Sequence, residues 1–199
     1  MDALQFLISR RSVRHFKPGR IPRPVIERLL KTACQAPSAH NRQPWRFLVL
    51  EEMQAKAQLV EAMQSGFKRD LEEDGLEPQE IEQRLSRSRD RIMSASAAVV
   101  LCMDPLVMDA YPDETRQAAE RLMAVQSTAL AGGTLLLAAH AEEFGAVWIC
   151  APLFAQRAVR EAFELPDSWE PQALVLIGYP AQLPEPRLRR PLDEVVRYR

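Results

Sequence analysis

Little in this chain points to a disulfide scaffold, a metal cluster or a nucleic-acid-binding protein. Its 199 residues include three cysteines and three histidines. The cysteines are widely spaced and set among apolar residues, which is typical of reduced core thiols, so we expect no structural disulfide. With so few ligands and no C-x-x-C pair, we expect no metal site either. The formal net charge is −1, so any function that uses positive charge must concentrate it locally.

We also expect neither a signal peptide nor a membrane span. Residues 1–16, MDALQFLISRRSVRHF, place their basic residues after the apolar ones and have no small-residue cleavage site, unlike a signal peptide. No apolar run reaches the roughly 18 residues that a membrane span requires. We therefore expect a cytoplasmic protein with no membrane partner and no nucleic-acid partner.

Length and apolar periodicity predict one domain over residues 1–199, in which helices and strands are mixed. The charged segment 53–93 is broken by Gly75 and Pro78 into two helices, and both a solvated hairpin and a functional lid remain open. A Pro-rich tail covers about residues 180–199, and such tails commonly pack on a partner subunit. Predicted helices are 2–9, 21–37, 114–143 and 153–165, and predicted strands are 46–51, 97–103, 146–150 and 172–178.

The predicted helix 114–143 is the longest, and its second half is apolar nearly all round, so it must be central or shared between subunits. Gly132 and Gly133 each cost about 1 kcal/mol relative to Ala inside a helix. Their presence indicates that another backbone or a ligand comes close there. Close packing is the simpler of these two explanations.

Positive charge is concentrated in a few short segments of the chain. Guanidinium groups, a hydroxyl and free amides are the donors that a phosphate site needs. The two common Gly-rich phosphate loops, GxGxxG and GxxxxGK[ST], are absent. An arginine-based phosphate site is therefore the remaining possibility, besides the ordinary role of arginines on a solvated surface. The residues concerned are Arg10, Arg11 and Arg14 with Ser12, then Arg187, Arg189 and Arg190, and also Arg42 and Arg46.

The order of these segments resembles the nitroreductase family of flavin enzymes. The motifs that carry the resemblance are RRSVRHF (10–16), APSAHNRQPWRF (36–47), AAVVLCM (97–103), the long helix ending LLLAAHAEEFG and the basic Pro-rich tail. The resemblance implies an α+β, three-layer fold: a central, mainly antiparallel sheet flanked by helices, with a long central helix. It also implies a homodimer that binds FMN at the subunit interface, with a C-terminal extension embracing the partner subunit.

The resemblance also assigns contacts to the flavin. Arg10, Arg11, Ser12 and Arg14 would hold the phosphate and ribityl groups, with Arg187 and Arg189 as further positive partners. Pro37, Ser38 and Asn41 would contact the flavin of the other subunit. Arg91 would approach the N1 and C2 carbonyl edge, with Ser88 one turn earlier. The loop after VWIC supplies amides to N5 and O4 in the family; because Pro152 has no N–H, Leu153 is the first candidate and Ala151 the second.

The implied activity is a ping-pong transfer of hydride from NADH or NADPH, through flavin N5, to a nitroaromatic, quinone or unsaturated acceptor. Proximity and stacking carry such a reaction, so no catalytic side chain is predicted. His40 could act as a general acid or be a structural or exposed loop residue.

Two alternatives stay open. DLEEDGL, YPDETRQAAERLMAVQS and LPDSWEPQALVLIGYP resemble the flavin-dependent domain attached to the glutamyl ligase of deazaflavin coenzyme biosynthesis, implying a reductase of a deazaflavin precursor. The arginine clusters would also suit a non-catalytic flavin- or nucleotide-binding protein.

Overall fold

Seven helices and five strands make up the part of the chain that the computed structural model describes, residues 2–199. The helices are α1 Ala3–Ser9, α2 Arg23–Ala33, α3 Met53–Glu73, α4 Pro78–Ser94, α5 Glu114–Ala141, α6 Gln156–Ala162 and α7 Leu192–Val195. The strands are β1 Phe16–Lys17, β2 Trp45–Leu50, β3 Ala97–Met103, β4 Gly145–Ile149 and β5 Glu170–Pro180. The predicted helices and strands are present, with ends shifted by a few residues.

The five strands form one antiparallel sheet organised around β5. This strand pairs with β1, β3 and β4, and β2 pairs with β3 on its other side. All seven residues of β3 are buried, which requires cover on both faces of the sheet. Alternate residues of β3 point to opposite faces: Ala98 and Val100 pack with α3 and α6, whereas Ala97 and Val99 pack with α2 and α5. The expected three-layer α+β fold is confirmed.

The long helix α5 is a core helix that also keeps an exposed apolar face. By length and composition it is the one helix among the described residues that could cross a membrane. Nine of its residues are buried against the rest of the chain, as in the core helix of a soluble fold. Its exposed apolar residues include Leu122 and Leu130.

The two glycines of α5 have different surroundings. A Cβ on Gly132 would lie 2.2 Å from Cζ3 of Trp148 and 2.7 Å from Cδ2 of Leu101, whereas one on Gly133 would meet nothing within 4 Å. Close packing, the simpler explanation, therefore applies to Gly132 and does not extend to its neighbour.

Helices α3 and α4 form the hairpin predicted for the charged segment. Gly75 has a φ of +75° in the turn between them, a conformation that glycine adopts without strain. Leu71, Ile81 and Leu85 are buried between the two helices. Lys56 of α3 is also buried, and its Nζ donates to the carbonyls of Met93 and Ala95 at the end of α4. These contacts hold the two helices together, and Leu59 and Met63 pack the hairpin on one face of the sheet.

Three expectations about local structure need correction. Only Cys102 is a buried core thiol; Cys34 and Cys150 are exposed at the ends of α2 and β4, so their apolar neighbours in sequence did not imply burial. The helix predicted over 153–165 is shorter, because a 3-10 turn, Ala151–Phe154, precedes α6. The extended tail contains a short helix, α7, that begins after Pro191.

Candidate functional site

A cavity of about 660 Å³ lies between the α3/α4 hairpin and the turn that follows β4. One part of its wall is apolar, and the other carries four arginines and two aspartates. The mixture suits a ligand with a flat apolar body and anionic or polar edges. The apolar residues include Met63, Phe67, Leu71, Ile92, Ile149 and Phe154, and the charged ones are Asp70, Asp74, Arg84, Arg87, Arg89 and Arg91.

Arginines from three separate segments form a basic cluster of two groups, and the group that contains Arg91 reaches this cavity. Burial lowers the pKa of Arg91, with smaller contributions from the nearby charges of Arg14 and Arg87. Burial likewise lowers the pKa of Arg10, which is further lowered by Arg189 of the tail and by Arg11. Arginines that lower each other's pKa lie close together and repel one another, so this cluster favours an anionic ligand.

No carboxylate neutralises the cluster within the described part of the chain. Among residues 2–199, no ion pair involves Arg10, Arg11, Arg14, Arg91 or Arg189. Arg11 donates to the carbonyls of Ile8 and Arg10, and Arg14 donates to that of Ser12. Backbone carbonyls thus orient two of these guanidinium groups without neutralising them.

The N-terminal basic segment is held along the sheet by the residues between its arginines. Val13 is buried, and its amide donates to the carbonyl of Ala146 in β4 at 3.0 Å. Ser12 forms an isolated bridge with the same residue. A Cβ on Gly145 would lie 2.7 Å from Val13, so only glycine leaves room for this approach. With Val13 inside, Arg14 faces outward, as the alternation in the sequence predicted.

The loop APSAHNRQPWRF lies against α5 and does not line the cavity. The amide of Ala39 donates to Oγ of Ser127 at 3.1 Å, and the hydroxyl of Ser38 accepts from the amide of Gln43. Trp45 is buried at the start of β2 and anchors the end of the loop. Within one chain the structure therefore does not bring Pro37, Ser38 or Asn41 to the cavity.

The turn after β4 reverses the order of the two candidate amide donors to the flavin, Leu153 and Ala151. The Leu153 amide, favoured from the sequence, donates to the carbonyl of Cys150 at 3.0 Å. The amide of Ala151 is at the first position of the same turn, where helical geometry provides no acceptor, and it donates to no other described residue. Ala151 also lines the cavity, whereas Leu153 does not. The geometry therefore favours Ala151 over Leu153 as the free donor.

The remaining predicted residues divide between the cavity and other surfaces. Ser88 lines the cavity one turn before Arg91, as the resemblance implied. Arg187 lies in the exposed tail two residues before Arg189, and its carbonyl accepts from the Arg189 guanidinium. His40 is exposed and lies beside Asp109 and Glu120, away from the cavity.

Sequence analysis did not assign the hairpin side chains Phe67 and Arg87 to the site. Both line the cavity, and Arg87 lies close enough to Arg91 to lower its pKa. The available signal was the charged segment itself, for which a lid was one of two interpretations. Contact with the cavity favours the lid.

Comparisons with known proteins agree with this architecture. The sequence model described as the nitroreductase family matches residues 7–179. A protein of Archaeoglobus fulgidus, provisionally named NADH dehydrogenase/NAD(P)H nitroreductase, is 30% identical over 181 residues, covering 90% of this chain and 86% of the relative. An iodotyrosine deiodinase of Haliscomenobacter hydrossis is 28% identical over 182 residues, covering 89% of this chain and 79% of the relative.

A solved structure shows the same fold at lower identity. It is a provisionally named nitroreductase of Exiguobacterium sibiricum in complex with FMN, with a TM-score of 0.79, 20% identity and coverage of 100% of this chain and 98% of that chain. Because the family model spans most of the sequence, the chain belongs to the nitroreductase family.

Proposed function

We propose that this protein is a homodimeric, FMN-dependent oxidoreductase that passes hydride from NADH or NADPH, through flavin N5, to a nitroaromatic, quinone or unsaturated acceptor by a ping-pong mechanism. The observation that carries the proposal is the basic cluster without carboxylate partners among the described residues: Arg91 lines the cavity with Arg14 close to it, and the same N-terminal segment brings Arg10 close to Arg189 of the tail. The family provides the reaction class, and its relatives include proteins named for NAD(P)H-dependent nitroreduction.

The residues present fit FMN in two respects. The doubly charged phosphate would be held by Arg10, Arg11, Ser12, Arg14 and the tail arginines, which lack another anion in the described chain. The apolar cavity wall would take the ring system, with Arg91 at its polar edge. When bound, FMN supplies the two-electron chemistry, which the protein side chains of this site do not provide.

The chain's own residues would bind and orient the flavin and the acceptor. Arg91 is half-buried, so its charge acts with less screening than a surface arginine and favours negative charge at the flavin edge. The Ala151 amide is a free donor at the cavity wall. Phe67 and Phe154 provide apolar surface for a flat acceptor and limit access of water. This arrangement achieves proximity and stacking without a nucleophile.

Exposed apolar surface supports the homodimer. Large apolar side chains are exposed on α1, on α5 and along the tail, whereas a monomer rarely leaves extended apolar patches in water. A partner covering α5 would also meet the loop 36–47, which packs on that helix. This arrangement would let Pro37, Ser38 and Asn41 reach the partner's flavin. The exposed residues are Leu4, Leu7, Ile8, Leu122, Leu130, Leu188, Leu192, Val195 and Tyr198.

Flavin content and reduction test the proposal. The purified protein should be yellow, release about one FMN per chain on heating, and bleach when NADH or NADPH is added without oxygen. Arg10→Gln and Arg91→Gln should each weaken FMN binding at least about tenfold, since each removes a charged donor. Arg157→Gln, a matched change of an exposed arginine that pairs with Glu161, should leave binding unchanged. A colourless protein that does not bind added FMN would refute the proposal.

Turnover separates the proposed activity from its alternatives. Reoxidation of the reduced protein by nitroaromatics or quinones supports the proposed acceptor class. Selective reoxidation by a deazaflavin precursor would support the narrower resemblance in the sequence. Stoichiometric FMN binding without reduction by either nicotinamide would indicate a non-catalytic binding protein. Light scattering coupled to gel filtration tests the dimer, and a monomeric mass would contradict it.

A further inference from the structure

We propose that His40, Asp109 and Glu120 form a binding site for one divalent transition-metal ion, such as Zn²⁺, outside the arginine-lined cavity. A ring nitrogen of His40 and one carboxylate oxygen each of Asp109 and Glu120 all lie within 4.8 Å of one another. None of the three residues lines the cavity. The site therefore lies outside the chain's own cavity, in and beside the loop 36–47 that the proposed dimer places near the partner's flavin.

Glu120 provides an independent indication of a missing ligand. Its side chain projects from α5 and is completely buried. Oε1 accepts from the amide of Asp109 at 3.1 Å, but Oε2 has no hydrogen-bond partner among the described residues. Burial of a carboxylate oxygen without a partner is costly, and buried charges are usually paired or coordinate metals. A cation bound to this carboxylate would remove that cost.

The fold holds the other two ligands beside Glu120. Met103, Met108 and Ala124 form a buried cluster on which Ala39 packs, so the loop that carries His40 is fixed against α5. Asp109 immediately follows Met108 and is tied to Glu120 by its amide. His40 has a φ of +50°, a left-handed conformation that non-glycine residues adopt only when the surrounding structure supports it.

The ligand set suits a metal of the zinc type. Imidazole nitrogen and carboxylate oxygen are both ligands of Zn²⁺, and three protein ligands leave the fourth tetrahedral position for water. Metal–ligand bonds of about 2.0–2.2 Å place tetrahedral ligands roughly 3.4 Å apart. The exposed His40 side chain can close the remaining distance by a small rotation.

Arg42 does not replace the ion. Its guanidinium pairs with Oδ1 of Asp109, which leaves Oδ2 available, and no hydrogen bond or ion pair joins it to Glu120. Two carboxylates with one arginine carry a net charge of −1, so a divalent ion leaves the cluster at +1. A net charge of this size is compatible with metal coordination at a half-exposed position.

The sequence predicted no metal site, because the three ligands of the proposed site come from three distant segments of the chain. The ligands come from the loop before β2, the loop after β3 and the second turn of α5, so no short sequence spacing reveals them. Metal motifs read from sequence depend on ligands that are close along the chain.

Zinc binding to the purified full-length protein, after chelator treatment and dialysis, tests the proposal. Titration calorimetry with ZnCl₂ should show one saturable site per chain. Glu120→Gln and His40→Asn should each weaken binding at least about tenfold, because each removes a ligand; Asn also tolerates the left-handed backbone at position 40. Two matched changes of exposed residues, Glu114→Gln in α5 and His15→Asn, should leave affinity unchanged.

Two further readouts keep the result interpretable. Zn²⁺ should raise the melting temperature of the wild type and both controls but not of the site variants. Co²⁺ bound in place of Zn²⁺ should absorb in the visible range without the thiolate charge-transfer band that cysteine ligands produce. Absence of saturable Zn²⁺ uptake, or uptake unchanged in His40→Asn, would overturn the proposal. Since His40 is exposed, that variant decides the question even if Glu120→Gln does not fold.

Discussion

The two adjacent glycines of α5 allow a matched test of packing. In Gly132→Ala, the new Cβ would lie 2.2 Å from the Trp148 ring and 2.7 Å from the Leu101 side chain, against an ordinary contact distance of about 3.5–4.0 Å between carbons. Leu101 is completely buried, so the strain is taken up mainly by movement of the indole or of α5 itself. Overpacking of this kind typically costs about 1–3 kcal/mol.

Helix propensity acts in the opposite direction and is the same at both positions. Replacing Gly by Ala inside a helix gains about 1 kcal/mol, so Gly132→Ala should change stability by a net loss of about 0–2 kcal/mol. Gly133→Ala meets no atom within 4 Å and should gain about 0.5–1 kcal/mol. For a chain of this size, each kcal/mol shifts the melting temperature by about 2–4 °C.

Urea unfolding followed by far-ultraviolet circular dichroism measures both effects. The variants and the wild type should be compared at one protein concentration and one FMN concentration, because binding and assembly also change apparent stability. Opposite signs for the two substitutions are the expected result. If Gly132→Ala gained as much stability as Gly133→Ala, or if Gly133→Ala were equally destabilised, the packing argument would be refuted.

Three other predictions concern buried side chains. Burial, and then the charge of Arg10, lowers the pKa of His140. The folded protein should therefore lose stability as the pH falls below about 6.5, the pKa of histidine in the unfolded chain. Between about pH 7.5 and 5, the urea midpoint should fall less for His140→Gln than for the wild type. Lys56→Met leaves two carbonyls at the end of α4 without their donor and should lower the free energy of unfolding in urea by about 1–3 kcal/mol. The exposed control Lys68→Met should have little effect. Equal losses in the two variants would contradict a structural role for the Lys56 ammonium group. Burial raises the pKa of Cys102 to about 12. A thiol reagent should therefore modify the exposed Cys34 and Cys150 rapidly in the native protein, and Cys102 only after denaturation. Equal rates for all three cysteines would contradict the burial of Cys102.

The fold could be predicted largely from local patterns. Residues 97–103 were predicted as a buried strand with the bounds that β3 has in the structure, because a short apolar run between turns specifies a central strand. The hairpin followed from Gly75 and Pro78, which determine where one helix ends and the next begins. Both predictions depend only on residues near in sequence. The helix predicted over 153–165 was longer than α6, because Pro152 initiates a separate 3-10 turn that apolar periodicity does not detect.

The candidate site was less predictable because it combines distant segments. The basic residues near Arg10 were recognised from their density in sequence, but their proximity to Arg91 and Arg189 depends on how β4, α4 and the tail meet. The preference for the Leu153 amide failed for a different reason. Proline at 152 removes one donor, as expected, but the turn that it starts also engages the amide of Leu153.

The division of the predicted flavin contacts into two groups has a structural cause. Val13 is buried against β4 and holds the basic segment on one side of the sheet, while the amide of Ala39 binds Ser127 of α5 and holds the other loop on the opposite layer. A rigid three-layer chain cannot bring these two segments to one ligand without breaking its own core. If both segments contact FMN, as the family resemblance implies, the second contact must come from another copy of the chain. On these two assignments the fold requires the proposed dimer, and a monomer that bound FMN with full affinity would show that one of the two groups is misassigned.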